Sequence, residues 1–102
     1  MIRFRGFDEL DSFEIAQAEK LAKAYEAKYQ RDLKELILFI DIKTYNRDGK
    51  RKKFSIHARI EEPIVSASAS DWDLTRTLHK VFKNIENEIE HKFKTYGHKP
   101  RT

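Results

Sequence analysis

The sequence predicts an α+β fold: a β-α-β-β-β-α two-layer sandwich, with a four-stranded mixed sheet and two helices packed on one face. Three observations lead there. Hydrophobic periodicity switches back and forth between about two and about 3.6 residues along the chain. Two segments carry an apolar stripe at helical spacing and must bury it. Between them lie three strand-like runs joined by short connections, which form an antiparallel meander.

Taken in order, Ile2-Arg3-Phe4-Arg5-Gly6-Phe7 alternates apolar and basic residues as a strand over 2–7. Asp8 to Ser12 starts a helix. Asp11 with Glu14 suits reciprocal capping, and Ser12 is an equally good cap. Ile15, Ala18, Leu21, Ala22, Tyr25 and Tyr29 then recur at helical spacing, and the helix is expected to reach about Gln30. Leu36 to Ile42 is β-branched and aromatic, too apolar for anything but a central strand.

Asp48-Gly49 marks a turn tip within the polar stretch 44–53. In the following strand Phe54, Ile56, Ala58 and Ile60 face one way, and Ser55, His57 and Arg59 the other. Pro63 closes the connection, and Val65, Ala67 and Ala69 alternate with Ser66 and Ser68 in a fourth strand. Ser70 or Asp71 caps the second helix, whose stripe runs from Leu74 and Leu78 through Phe82 and Ile85 to Ile89 and Phe93. Residues 1–95 make one domain, and 96–102 a basic tail expected to fray. A strand–helix–strand start demands a right-handed crossover, so the first two strands are parallel if adjacent. Both helices then share one face of the sheet, and the other face is open.

Composition narrows function. The chain has 102 residues, 37% charged and 39% hydrophobic, with seven Phe, four Tyr and one Trp to build a single core. Without cysteine there is no disulfide scaffold, thiol nucleophile or thiolate metal site. No apolar run approaches the roughly 20 residues that cross a bilayer. The opening MIRFRGFDELDS is charged throughout, unlike a signal peptide, so a cytoplasmic setting is expected. Net charge is +4, and its position matters more than its size. Residues 1–42 sum to −2, residues 43–59 to +6 and residues 60–102 to zero. Such a concentrated block points to a polyanionic partner.

Lys43, Arg47, Lys50, Arg51, Lys52 and Lys53 surround the Gly-containing tip, in a loop longer than the turn requires. Cations on a projecting tip can meet phosphates, and each contact releases counterions. The plainer alternative is a solvated loop whose lysines discourage edge pairing. Four consecutive cations exceed that need. Lys20 and Lys23 are neighbours on the first helix, and Arg76, Lys80 and Lys83 form a stripe on the second. Side by side, the helices would join these into one basic surface. Trp72 either packs over the helix start or stacks on a base, and Ile37 and Phe39 project onto the open face. That face also offers a patch for self-association.

Catalysis finds little support. His57, His79, His91 and His98 lack the spacing of a zinc motif. His57 beside Arg59 is the one candidate general base, and an ordinary surface histidine explains it better. Asp71 and Asp73 read as caps at a helix start, and Ser66 and Ser68 lack a nucleophile elbow. No glycine-rich phosphate loop is present. The expectation is a non-enzyme that uses no cofactor, metal or small-molecule substrate.

Several segments together resemble the ribosome hibernation-promoting factor and ribosome-associated inhibitor A family. Gly6 sits where that family often closes its first strand, and Lys20-Leu21-Ala22-Lys23 resembles its basic first-helix segment. The best match is Ala67-Ser68-Ala69-Ser70-Asp71-Trp72-Asp73-Leu74, running on to Leu78 and Ile85-Glu86-Asn87-Glu88-Ile89. It is similar to the family's small-residue strand, acidic pair, helix start and Leu-Glu-x-x-Leu pattern. Leu74-Thr75 replaces the usual Met-Tyr. The family's basic residues in mid-helix fall on Asn84, Asn87 and His91, with Arg76, Lys80 and Lys83 on an adjacent stripe. With no long extension after the second helix, the chain resembles the family's short form, without a dimerisation domain.

The resemblance implies binding to the small ribosomal subunit and its ribosomal RNA in the decoding region, blocking messenger and transfer RNA sites, with no membrane involvement. The implied RNA-binding residues are Lys20, Lys23, Lys50, Arg51, Lys52, Lys53, Arg76, Lys80 and Lys83; Arg3, Arg5 and Arg59 on the opposite sheet face are expected to matter less. The alternative is a general double-stranded or structured RNA-binding domain. Below these stand a protein-interaction module using the open face and a small hydrolase using His57.

Overall fold

In the computed structural model, residues 1–31, 33, 35–47, 51–61 and 64–96 are described, with backbone alone for 46, 47, 51 and 93–96. The elements are β1 (Ile2–Arg5), α1 (Ser12–Tyr29), β2 (Leu38–Arg47), β3 (Arg51–Ile60), β4 (Val65–Asp71) and α2 (Leu74–Tyr96). The sheet order is β1-β2-β3-β4. β1 pairs parallel with β2, and β2, β3 and β4 form the antiparallel meander. The predicted fold class is the observed one.

Asp11 caps α1 in the reciprocal manner expected: its carboxylate accepts from the Glu14 N–H at 2.8 Å, and Glu14 returns the bond to the Asp11 N–H at 3.0 Å. Leu38, Ile40, Ile56, Ala58 and Ile60 present the buried face of the sheet, each at most 1% exposed. Leu78, Val81, Phe82 and Ile85 of α2 lie fully buried against it. From α1 come Ala18 and Ala22, whose small side chains let the helix approach closely, and the rings of Tyr25 and Tyr29. The Tyr29 hydroxyl donates to the Phe82 carbonyl at 2.7 Å, so its burial leaves no unpaired oxygen. Tyr25 meets His79 and Phe82, and further along Lys28 pairs with Glu86. The helices therefore run side by side in the same direction. Ile37 is exposed and Phe39 half-buried on the other side of the sheet, as their alternation with Leu36 and Leu38 predicted.

Several strand boundaries move. The first strand stops at Arg5 rather than residue 7. Gly6 takes the left-handed conformation (φ 95°) and Phe7–Glu9 forms a 3-10 turn, which stacks the Phe7 ring on Phe4 at 4.3 Å. The central strand covers Leu38–Arg47 instead of 36–42, and β3 begins at Arg51 instead of Phe54. The two remain paired as far as Arg47↔Arg51, so 43–47 and 51–53 form a ladder where a loop was expected. Polar residues join it because alternate positions face solvent on the uncovered side. The tip at Asp48-Gly49 lies outside the described residues, as do Pro63 and the tail 97–102. Finally, Ser70 and Asp71 belong to β4. Asp73 is the cap of α2, accepting from the Arg76 N–H at 2.8 Å.

Candidate nucleic-acid interface

The alternation of β3 divides the cationic block between the two sides of the sheet. Lys52 shares its parity with Phe54 and Ile56 and turns to the helix side, where its Nζ meets Glu14 Oε1 at 2.9 Å. Lys53 goes to the open side, its ammonium 5.7 Å from the centre of the Trp72 ring. Lys43 faces the same way as Lys53, across the pairing of Tyr45 with Lys53 and Lys43 with Ser55. Lys50 lies outside the described residues, and Arg51 is described in its backbone alone.

On the helix layer, charge is nearly balanced. Lys80 Nζ lies 2.8 Å from Asp71 and Arg76 Nη1 3.5 Å from it, while Lys83 lies 3.8 Å from Glu86. The stripe expected on α2 is thus largely engaged with carboxylates of its own surface. Lys20 and Lys23 are exposed on α1 and form no ion pair among the described residues. α1 with its cap carries Lys20, Lys23 and Lys28 against Asp11, Glu14, Glu19 and Glu26. Asn84, Asn87 and His91 are all exposed on α2.

The open face gathers Arg3, Arg5, Lys43, Lys53 and Arg59. Among described side chains the carboxylates beside them are Asp41, 3.0 Å from Arg5 Nε, and Glu61, 3.5 Å from Arg59. The Arg59 guanidinium lies over the Phe39 ring at 4.3 Å, and Tyr45 is exposed further along the same face. Sequence reasoning passed over Tyr45. The signal was there: the alternation Phe39, Asp41, Lys43 continues to it with period two.

His57 is exposed opposite Asp41, and Ser66 and Ser68 lie exposed on β4. His79 Nδ1 is 2.9 Å from the Tyr25 hydroxyl, a contact that joins α2 to α1. No group of His, Asp and Glu that could hold a metal ion occurs among the described residues. None of the helices, over the described residues, is long and apolar enough to cross a membrane.

Asp71 is an electrostatic hub. The Lys80 ammonium, then the Trp72 N–H, holds its carboxyl below the usual aspartate value, and Arg5 does the same for Asp41. A carboxyl whose folded-state value is depressed contributes stability above its unfolded value, and loses that contribution as pH falls through the folded one. Asp71→Asn is therefore expected to shrink the drop in melting temperature between pH 6 and pH 2 relative to wild type. An unchanged drop in melts at the two pH values would show that the Asp71 cluster adds nothing to acid sensitivity. Burial pushes the Tyr29 phenol far above its ordinary value, with Glu86 adding to the shift, so it stays a neutral donor to Phe82.

Compared with known proteins, the chain matches no family model and no curated sequence.

Proposed function

We propose that the protein is a ribosome-associated translation inhibitor that binds ribosomal RNA in the decoding region of the small subunit and blocks messenger and transfer RNA sites. It acts by occupancy, without turnover. The observation that supports the RNA reading is the long β2–β3 hairpin, whose paired strands carry Lys43, Lys52 and Lys53 of the positive block past β1, which pairs only with residues 38–41. Such a projection holds cations in fixed register and can enter a groove between phosphates. Lys20 and Lys23 add exposed cations on α1. The resemblance to the hibernation factors supports the ribosome as the source of that RNA.

Binding is expected to weaken on the order of a hundredfold or more between 50 and 200 mM salt, as several displaced counterions require. Pelleting of the purified protein with small subunits across that range measures it, and a flat response excludes the electrostatic account. In the same assay, Lys20→Ala/Lys23→Ala and an alanine block at 50–53 should each weaken pelleting, losing about one unit of salt slope per lost phosphate contact. The melting point should hold in Lys20→Ala/Lys23→Ala, where both side chains are exposed. The second reading, general structured-RNA binding, draws on the same hairpin. It prevails if bulk duplex RNA competes as well as ribosomes do.

A further inference from the structure

We propose that the open face of the sheet is a binding platform for single-stranded RNA. This goes beyond the ribosome reading and does not depend on it. The strand register sets the face out in rows about 7 Å apart along the strands. Arg3, Phe39, Arg59 and Ser66 lie across the first row, and Arg5, Asp41, His57 and Ser68 across the second. Lys43, Ser55 and Ser70 make the third. Tyr45 and Lys53 make the fourth, which Trp72 continues past the end of β4.

Charge selects a polyanion. Five cations stand on this face against Asp41 and Glu61 among the described side chains, whereas the cations of α2 are largely engaged with carboxylates. Aromatic groups select exposed bases. Tyr45 is 52% and Trp72 42% exposed, and the Arg59 guanidinium over Phe39 offers a further stacking plane. Unpaired bases stack on rings and guanidinium planes, while bases inside a duplex hide their faces. At the β1 side of this face, Arg3, Arg5, Phe39, Asp41 and Arg59, with Ile2 and Phe4, line an open depression of about 470 Å³. Seryl hydroxyls on β3 and β4 stand beside the stacking groups and can exchange hydrogen bonds with ribose 2′-hydroxyls, which DNA lacks.

The test is fluorescence anisotropy with a labelled single-stranded RNA about a dozen nucleotides long, against duplex RNA and single-stranded DNA of the same sequence. The RNA single strand should bind tightest. Tyr45→Ala/Trp72→Ala should weaken it by about tenfold or more, the scale of one or two lost base stacks. Arg3→Gln/Lys43→Gln alters only exposed side chains, and should lower both affinity and salt slope. Arg59→Lys keeps the charge and loses the plane, so it should bind more weakly at unchanged salt slope. Duplex RNA or DNA binding as tightly as the single strand overturns the proposal. So does wild-type affinity in both double variants when their melts are normal. Small-subunit pelleting separates the two readings. Loss of pelleting with RNA binding intact removes the ribosome reading alone, and pelleting without single-strand binding removes the platform alone.

Discussion

Phe82→Ala is expected to remove roughly 3–5 kcal/mol of folding stability, the range for deleting a fully buried aromatic ring. Phe82 is entirely buried on α2, and its ring lies 4.9 Å from that of Tyr25 on α1. The same residue's backbone carbonyl accepts the Tyr29 hydroxyl. Truncation therefore opens a cavity where the two helices and the sheet converge. For a domain of this size the loss corresponds to a fall in melting temperature of about 12 °C or more. Tyr29→Phe is the control: it keeps the ring and removes one hydrogen bond, worth about 1 kcal/mol. Urea unfolding of both variants checks the order, and a Phe82→Ala loss no larger than that of Tyr29→Phe would contradict the packing described.

The second large effect is expected at Gly6. Its φ of 95° lies in the left-handed region, where a side chain costs about 1–2 kcal/mol. A Cβ there would also overlap the carbonyl oxygen of Ile42 in the adjacent strand. That neighbour is backbone in the middle of a paired strand and cannot swing aside. Gly6→Ala is expected to cost about 3 kcal/mol or more, the strain of the conformation and the displacement of β2 combined. Thermal and chemical melts measure it. A loss below about 1 kcal/mol would mean that the turn after β1 rearranges freely, and that β1 does not depend on this close approach.

Much of the fold was legible because local signals and burial agree. The helix stripes, the capping box at Asp11 and Glu14, and the alternation from Phe54 to Ile60 all reappear. The extra length of β2 and β3 was harder to see. Residues 43–47 are polar on their own, and only the ladder opposite makes them a strand. The α2 cap stayed open in the sequence because Ser70, Asp71 and Asp73 are all competent caps. Pairing across the sheet extends β4 through Asp71 and leaves Asp73 to the helix.

The candidate surface was legible in part. The positive block was plain in composition, and its division between Lys52 and Lys53 was implicit in a two-residue period carried back from Phe54. What no local pattern contains is who neutralises whom. Asp71 meets Lys80 and Arg76, and Glu14 meets Lys52, through tertiary folding. Gathering Arg3, Arg5 and Arg59 with Lys43 and Lys53 likewise needs the register of three strands. That gathering brings the sheet face, first set aside in favour of the helices, into the functional argument.

Trp72 is the only tryptophan in the chain, and it sits at the end of the sheet, 42% exposed beneath the Lys53 ammonium. The large rings of the core are supplied instead by Tyr25, Tyr29, Phe54 and Phe82. The protein thus carries a natural optical marker on its surface, separate from the reporters of its interior. Excitation restricted to indole observes the Lys53 end of the sheet alone, whereas tyrosine emission mixes Tyr25 and Tyr29 at the helix seam with Tyr45 beside Lys53. Indole emission is therefore the signal that reads one end of this small domain without any label.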